Sequence, residues 1–177
     1  ACQTDTGVEQ RVHPCMVPVD SPIAHIEDVF NAVVAEGDFV GTTMYEGRGA
    51  GEGPTSSAVV ADIIDIAQNR ILNAFVVPSR ELSQPKIVPI SEHVGSYYVR
   101  FMVSDKPGVF ATIANALKDN NVSMQSVLQR GRSQKEAVPV VLTTHATDEP
   151  SLLATLSLIE KNEAVVEQPC MIRIEAF

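Results

Sequence analysis

The chain has 177 residues, 45% hydrophobic and 20% charged, with a formal net charge of −9. That is the make-up of a globular protein of one or two domains. The acidic balance speaks against a nucleic-acid surface and against docking on an anionic membrane, and no apolar run reaches the roughly 18 residues of a membrane span.

The chain opens at Ala1 without a Met and without a first strand of a nucleotide-binding fold. It therefore reads as the later portion of a longer protein. Val8 to Val19, interrupted by Pro14 and Pro18, predicts a broken edge strand. Val29 to Ala35 is rich in β-branched residues, and Gly37-Asp38 turns it back into Phe39 to Tyr45, which predicts a hairpin. Asn31 in the first of these strands either satisfies a neighbouring backbone group or contacts a substrate or a second subunit.

Glu46 to Thr55 is a glycine-rich loop with Gly47, Gly49, Gly51 and Gly53 in alternation. It feeds a helix expected over 54–68, with Pro54 at its first position. The free N–H groups of a helix start can hold an anion, and a plain turn and cap is the other reading. Neither the Gly-Lys-Ser/Thr ending of a phosphate loop nor a Gly-x-Gly-x-x-Gly spacing is present. The helix is apolar on nearly every side, through Val59, Val60, Ile63, Ile64, Ile66 and Ala67. Asp62 and Asp65 leave only a narrow polar stripe, so the helix is expected to sit between two domains.

Asn69 to Glu92 carries Pro78, Pro85 and Pro89, which predicts an extended linker. Within it, Ile71 to Val77 is a short helix end or a strand. The domain boundary is placed at His93, giving regions 1–92 and 93–177.

From Tyr97 the pattern is regular. Tyr97 to Val103 alternates as a strand, Asp105 to Gly108 turns, and Val109 to Asn120 has helical spacing. Val122 to Gln129 is a second strand, Gly131 to Gln134 a turn, and Ala137 to Thr144 a third strand. A helix starts at Pro150, and Val165 to Glu175 is the last strand. This βαββαβ order predicts an α+β, ferredoxin-like sandwich with two helices on one face of a four-stranded antiparallel sheet.

Cys2, Cys15 and Cys170 are widely spaced, and His13, His25, His93 and His145 are isolated. They form neither a disulfide framework nor a zinc pattern. A reducing, cytoplasmic setting and no metal site are expected.

Two stretches carry resemblances. Ile23 to Ala67, with Phe30-Asn31-Ala32-Val33, Glu36-Gly37-Asp38, Val40-Gly41 and Gly-Arg-Gly-Ala-Gly-x-x-Pro-Thr-x-Ser-Ala-Val-Val-x-Asp, resembles homoserine dehydrogenase, with Ser56 where alanine is usual. The resemblance makes 1–92 the end of a substrate and dimerisation domain, with a helix returning to the cofactor domain. It implies an enzyme that reduces aspartate semialdehyde to homoserine with NADH or NADPH, on the route to threonine and methionine. Gly49, Ala50, Gly51, Pro54 and Thr55 would then lie near the NAD(P) cofactor. The family's catalytic lysine precedes the hairpin, and this chain has no lysine before Lys86. No catalytic residue is carried over, and this chain alone is expected to bind no cofactor tightly and to be inactive without an N-terminal nucleotide-binding domain.

Residues 93–177 resemble the ACT regulatory domain, through Asp105-Lys106-Pro107-Gly108-Val109 and Asn121-Val122-Ser123. The resemblance implies feedback regulation by a small amino acid, threonine first, bound at a dimer interface. Asp105, Gly108, Val109, Asn121 and Val122 are its expected contacts, and a homodimer would form through the sheet. The alternative is a stand-alone, non-catalytic amino-acid sensor or dimerisation module.

Overall fold

A computed structural model describes residues 1–70, 75–129, 131 and 136–175. In chain order the elements begin with β1 (Cys2–Thr4), β2 (Gly7–Glu9), β3 (Cys15–Met16), β4 (Phe30–Gly37), β5 (Gly41–Arg48) and α1 (Glu52–Ala67). They continue with β6 (Ile87–Val88), β7 (Val94–Ser104), α2 (Val109–Asp119), β8 (Met124–Gln129), β9 (Ala137–Thr144), β10 (Thr147–Asp148), α3 (Glu149–Glu160) and β11 (Cys170–Ile174). Short 3-10 turns lie at Pro22–His25, Ser79–Glu81 and Ile90–Glu92. The fold is α+β, and the described residues group into two units: 1–17 with 85–177, and 18–84.

The first unit is built on a mixed sheet in the order β3-β11-β7-β9-β8, with β10 also paired to β7. The four long strands are antiparallel, as the alternation predicts, and give the ferredoxin-like order. Tyr97, Val99, Phe101 and Val103 point to one face of β7, and Val138, Val140 and Leu142 to the same face of β9. They pack with Ile113, Ala116 and Leu117 of α2 and Leu152, Leu156 and Ile159 of α3 in one apolar cluster. The opposite face carries Tyr98, Arg100, Met102, Val141, Leu128 and Ile172, all half-buried or exposed, and neither α2 nor α3 packs on it.

Local chemistry sets the ends of these elements. Asn121 takes φ +57 just past α2, the left-handed geometry that stops a helix, so β8 begins at Met124 rather than at Val122. Asp148 caps α3, its carboxylate accepting from the Ser151 N–H at 2.9 Å, and Pro150 sits in the first turn. The last strand is shorter than Val165 to Glu175. Val165 makes an isolated bridge to Val103, and regular pairing resumes at Cys170, just after Pro169, which has no N–H to donate.

The expected edge strand over Val8 to Val19 is resolved into two pieces. β2 pairs antiparallel with β1 and parallel with β6. After the break at Pro14, β3 pairs parallel with β11, so that with β10 the sheet has six strands where four were expected. Residues 1–17 and 85–92 thus group with the 93–177 stretch, a division different from 1–92 and 93–177.

In the second unit β4 and β5 form an antiparallel hairpin from Phe30↔Arg48 to Gly37↔Gly41. The turn is Asp38 to Val40, one step later than Gly37-Asp38. Gly41 at φ +71 supplies the left-handed residue that closes a three-residue loop. The helix starts at Glu52 rather than Pro54, which places Pro54 in the first turn, where its missing N–H costs nothing. No residue of α1 is buried. The stretch 69–92 contains two of the 3-10 turns and β6, more structure than an extended linker. Ile71 to Ala74 lie outside the described residues, as do Arg132 to Gln134 of the expected turn after Gly131.

Candidate functional site

β7 ends at Ser104, whose N–H donates to the Ala164 carbonyl at 2.8 Å, and the chain then turns through Asp105, Lys106 and Pro107. Gly108 closes the turn at φ +93, ψ −16 as the N-cap of α2. A side chain there is strained by the backbone geometry, which is why glycine stands at this position. The first in-helix bond runs from the Thr112 N–H to the Gly108 carbonyl at 3.0 Å. The N–H groups of Phe110 and Ala111 in the first turn have no partner inside the helix.

A cavity of about 570 Å³ opens beside this turn. Val103, Val109 and Val140 give it an apolar lining, and Asp105, Lys106 and Gln129 bring polar groups to it. An ammonium, a carboxylate and an amide around an apolar floor, next to a helix start, can hold a small zwitterion. The ligand's carboxylate would face Lys106 and the helix N–H groups, and its ammonium would face Asp105. Asp105, Gly108 and Val109 are the predicted residues that line it. Lys106 lies within the motif and Phe110 adjoins it, and Gln129 and Val140 come from β8 and β9. Pairing of Gln129 with Val140 brings them to the turn, a placement that no local sequence signal announces.

Asn121 and Val122 do not line this cavity. They follow α2, an 11-residue helix, roughly 16 Å from its start. The Val122 side chain is buried in the core, and its N–H donates to the Leu117 carbonyl at 2.9 Å. Within one copy the five expected effector contacts therefore fall at two ends of one helix.

In the second unit the glycine-rich loop is exposed from Gly47 to Thr55. Gly51 is the N-cap of α1 at φ 124, ψ 148, and the first in-helix bond runs from the Thr55 N–H to its carbonyl at 3.1 Å. Because Pro54 has no N–H, Glu52 and Gly53 are the first-turn donors, and the Glu52 carboxylate shares that turn. At Gly49 the constraint is space rather than φ, and it comes from the side chain of Asn31. An added Cβ would lie 1.8 Å from the Asn31 side-chain nitrogen, and the Gly49 N–H donates to the Val29 carbonyl at 2.8 Å. The Asn31 amide thus rests on the loop, and no described hydrogen bond ties it to a backbone group. Gly49, Ala50, Gly51, Pro54 and Thr55 form one open surface at a helix start. The hairpin and helix of this unit form no parallel βαβ unit among the described residues.

A second set of polar groups lies at the other end of β7. Arg173 of β11 donates through Nε and Nη2 to the two oxygens of buried Glu149, at 2.8 and 2.5 Å. The Tyr97 hydroxyl also donates to Glu149, at 3.4 Å. Burial, followed by the Glu149 charge, raises the Tyr97 phenol well above its ordinary value. The hydrogen bonds to Glu149 raise Arg173. Among the described residues no group of three His, Cys, Asp or Glu side chains is gathered to hold a metal ion.

Residues 1–64 match the family model for homoserine dehydrogenase, and residues 97–164 match that for the ACT domain. The chain is 38% identical over 182 residues to the homoserine dehydrogenase of Neisseria gonorrhoeae, covering 99% of this chain and 42% of that protein. It is 36% identical over 183 residues to the Pseudomonas aeruginosa homoserine dehydrogenase, with the same coverage of each. The crystal structure of a homoserine dehydrogenase from Thiobacillus denitrificans aligns with 98% of this chain and 40% of its own, at 36% identity and a TM-score of 0.84. The chain thus spans about two fifths of the length of these relatives.

Proposed function

We propose, from the matches of residues 1–64 to homoserine dehydrogenase and of 97–164 to the ACT domain, that the chain is the C-terminal portion of an enzyme reducing aspartate semialdehyde to homoserine, with amino-acid feedback built in. Region 1–92 is the end of the substrate and dimerisation part, and 93–177 is the regulatory part. NADH or NADPH supplies the hydride when bound to the whole enzyme. Gly49, Ala50, Gly51, Pro54 and Thr55 then form the wall of the cofactor site contributed by this chain, with Asn31 lying beside Gly49. Catalytic groups and the rest of the nucleotide site come from an N-terminal domain preceding this sequence. The uncovered apolar surface of α1 supports this reading, since a helix with every apolar side chain in water needs a neighbour.

The regulatory half rests on one observation: the cavity at the Asp105–Val109 turn pairs an apolar lining with groups of both charges. Its ligand is a small amino acid, threonine first. The separation of Asn121 and Val122 from that turn supports a site shared by two copies, one giving the turn and its partner the far end of α2. The uncovered sheet face supports a homodimer. A stand-alone sensor or dimerisation module in a cytoplasmic setting is the second reading, favoured by the self-contained core of the first unit.

Calorimetry of this chain with threonine tests the regulatory half. Saturable heat that disappears in Gln129→Ala and in Asn121→Ala, with both variants folded, is the expected result. Absence of binding by any amino acid would leave only the dimerisation platform. For the enzyme half, this chain alone is expected to show no NADPH oxidation with aspartate semialdehyde. Fusion to the nucleotide-binding domain of a relative is expected to restore it.

A further inference from the structure

The segment from Gly7 to Val17 lies along the edge of the first unit as a strap. Its backbone is bonded at two places: the Val8 N–H donates to the Lys86 carbonyl at 2.8 Å, and the Glu175 N–H donates to the Met16 carbonyl at 2.9 Å. Between them, Glu9, Arg11 and His13 turn half-buried side chains toward the unit. Arg11 lies 3.1 Å from Glu9 and 3.4 Å from Glu175, and His13 lies 3.6 Å from Glu175.

At the centre of this cluster is His93, 5% exposed, just before β7. Its Nδ1 is in contact with Arg11 Nη1 and 3.7 Å from Glu9. Its Nε2 is buried without a hydrogen-bond partner. The ring is caged on its other sides. Tyr97 meets it edge-on with centroids 6.1 Å apart, and a Cβ on Gly95 would lie 2.6 Å from Nε2. Its own carbonyl accepts from the Glu149 N–H at 3.0 Å. A guanidinium can only donate. Nδ1 must therefore be the acceptor, and the neutral ring carries its proton on Nε2.

Protonation at Nδ1 turns this contact into two donors and two positive charges facing each other. Every nearby carboxylate is already engaged: Glu9 and Glu175 by Arg11, and Glu149 by Arg173. The caged ring cannot move away, whereas Arg11 on the strap can. We propose that the strap is an acid-released clasp. With His93 neutral, Arg11 locks residues 7–17 against β6 and β11; with His93 protonated, Arg11 is expelled and the strap leaves the sheet edge.

The direction of the His93 titration agrees. Desolvation, then the Arg11 charge, lowers it below its ordinary value, while Glu175, Glu9 and Glu149 oppose them. A lowered histidine favours the locked form above its free value of 6.5, and that contribution is lost as pH falls from there through the locked value. The release ratio grows about tenfold for each unit by which the locked value lies below the free one.

The strap belongs to the stretch matching homoserine dehydrogenase, and β7 from Tyr97 on lies in the ACT match. The clasp thus ties the strap to Lys86, His93 and Glu175, residues that flank the ACT match on either side of it. It lies at the end of β7 opposite the Asp105–Val109 cavity and operates whether or not an effector binds there.

The test is hydrogen exchange of the whole chain, read as protection factors of the Val8 and Glu175 amides between about pH 7.5 and about pH 5. Protection of both is expected to be lost toward acid while the Val99 and Phe101 amides stay protected. His93→Gln, which keeps an acceptor and cannot titrate, is expected to abolish the step, and His13→Gln to leave it. In Arg11→Gln, the His93 imidazole followed by NMR is expected to titrate at higher pH than in wild type. A strap whose protection does not change with pH, a step that survives in His93→Gln, or a His93 titration unmoved in Arg11→Gln would each overturn the clasp.

Discussion

The two units of this chain are made from similarly apolar sequence and reach opposite outcomes. In the first, β7 and β9 alternate with period two, and α2 and α3 turn one face each onto them. Tyr97, Val99, Phe101, Leu142, Leu152 and Ile159 end at 0–1% exposure. In the second, Val59, Val60, Ile63, Ile64 and Ile66 of α1 remain between 47% and 68% exposed, and among the described residues of 18–84 no apolar side chain is buried. Hydrophobic content alone does not make a core. The apolar groups must face a second layer of matching period. α1 is apolar almost all round, the pattern of a helix that needs layers on two sides, and a single hairpin cannot provide both.

The difference can be broken most sharply by truncating one residue in each unit. Phe101→Ala is expected to destabilise the first unit by about 3–5 kcal/mol in denaturant unfolding. Ile63→Ala should stay within about 0.5 kcal/mol in this chain. A large cost at Ile63 would mean that α1 is covered in solution. Next in size is Glu149→Ala. It leaves Arg173 without its partner in a site where the two side chains are 14% and 8% exposed, and should cost about 3 kcal/mol by the same measurement.

A smaller loss is expected for Asp148→Ala, which removes the cap of α3. The Ser151 N–H holds the Asp148 carboxyl below its ordinary 3.8, so its contribution is present above that value and is lost as pH falls through the folded-state value. The variant should lack that part of the acid destabilisation. Least of all should the first unit respond to replacing Val59, Ile63 and Ile66 by serine. Its unfolding midpoint is expected to stay in place while binding of a hydrophobic dye falls, which separates the exposed helix from the core.

What was legible in the sequence follows the same division. The βαββαβ order, α1 and the Asp105–Val109 turn are written in local periodicity and turn chemistry, and the structure has each of them. β3 was legible only as a broken strand. Its partner, β11, lies more than 150 residues away, and no local pattern specifies a pairing at that separation. Gln129 was invisible at the cavity for the same reason, since the β8–β9 register brings it there. The close approach of Asn31 to Gly49 across the hairpin is a contact that a reading of the loop by itself does not contain. His93 looked like one isolated histidine among four until Arg11, Glu9 and Glu175 were brought to it from the two ends of the chain.

The parallel seating of β3 on β11 bears on how the protein can be dissected. Expressing the portion from His93 onward would remove β3 and strip β11 of its outer neighbour, leaving a row of bare backbone donors and acceptors along that margin. Such an excised piece is expected to recruit strands from other molecules and precipitate, even with its interior intact. Retaining the first 17 residues, in cis or as a synthetic peptide supplied in trans, should restore solubility.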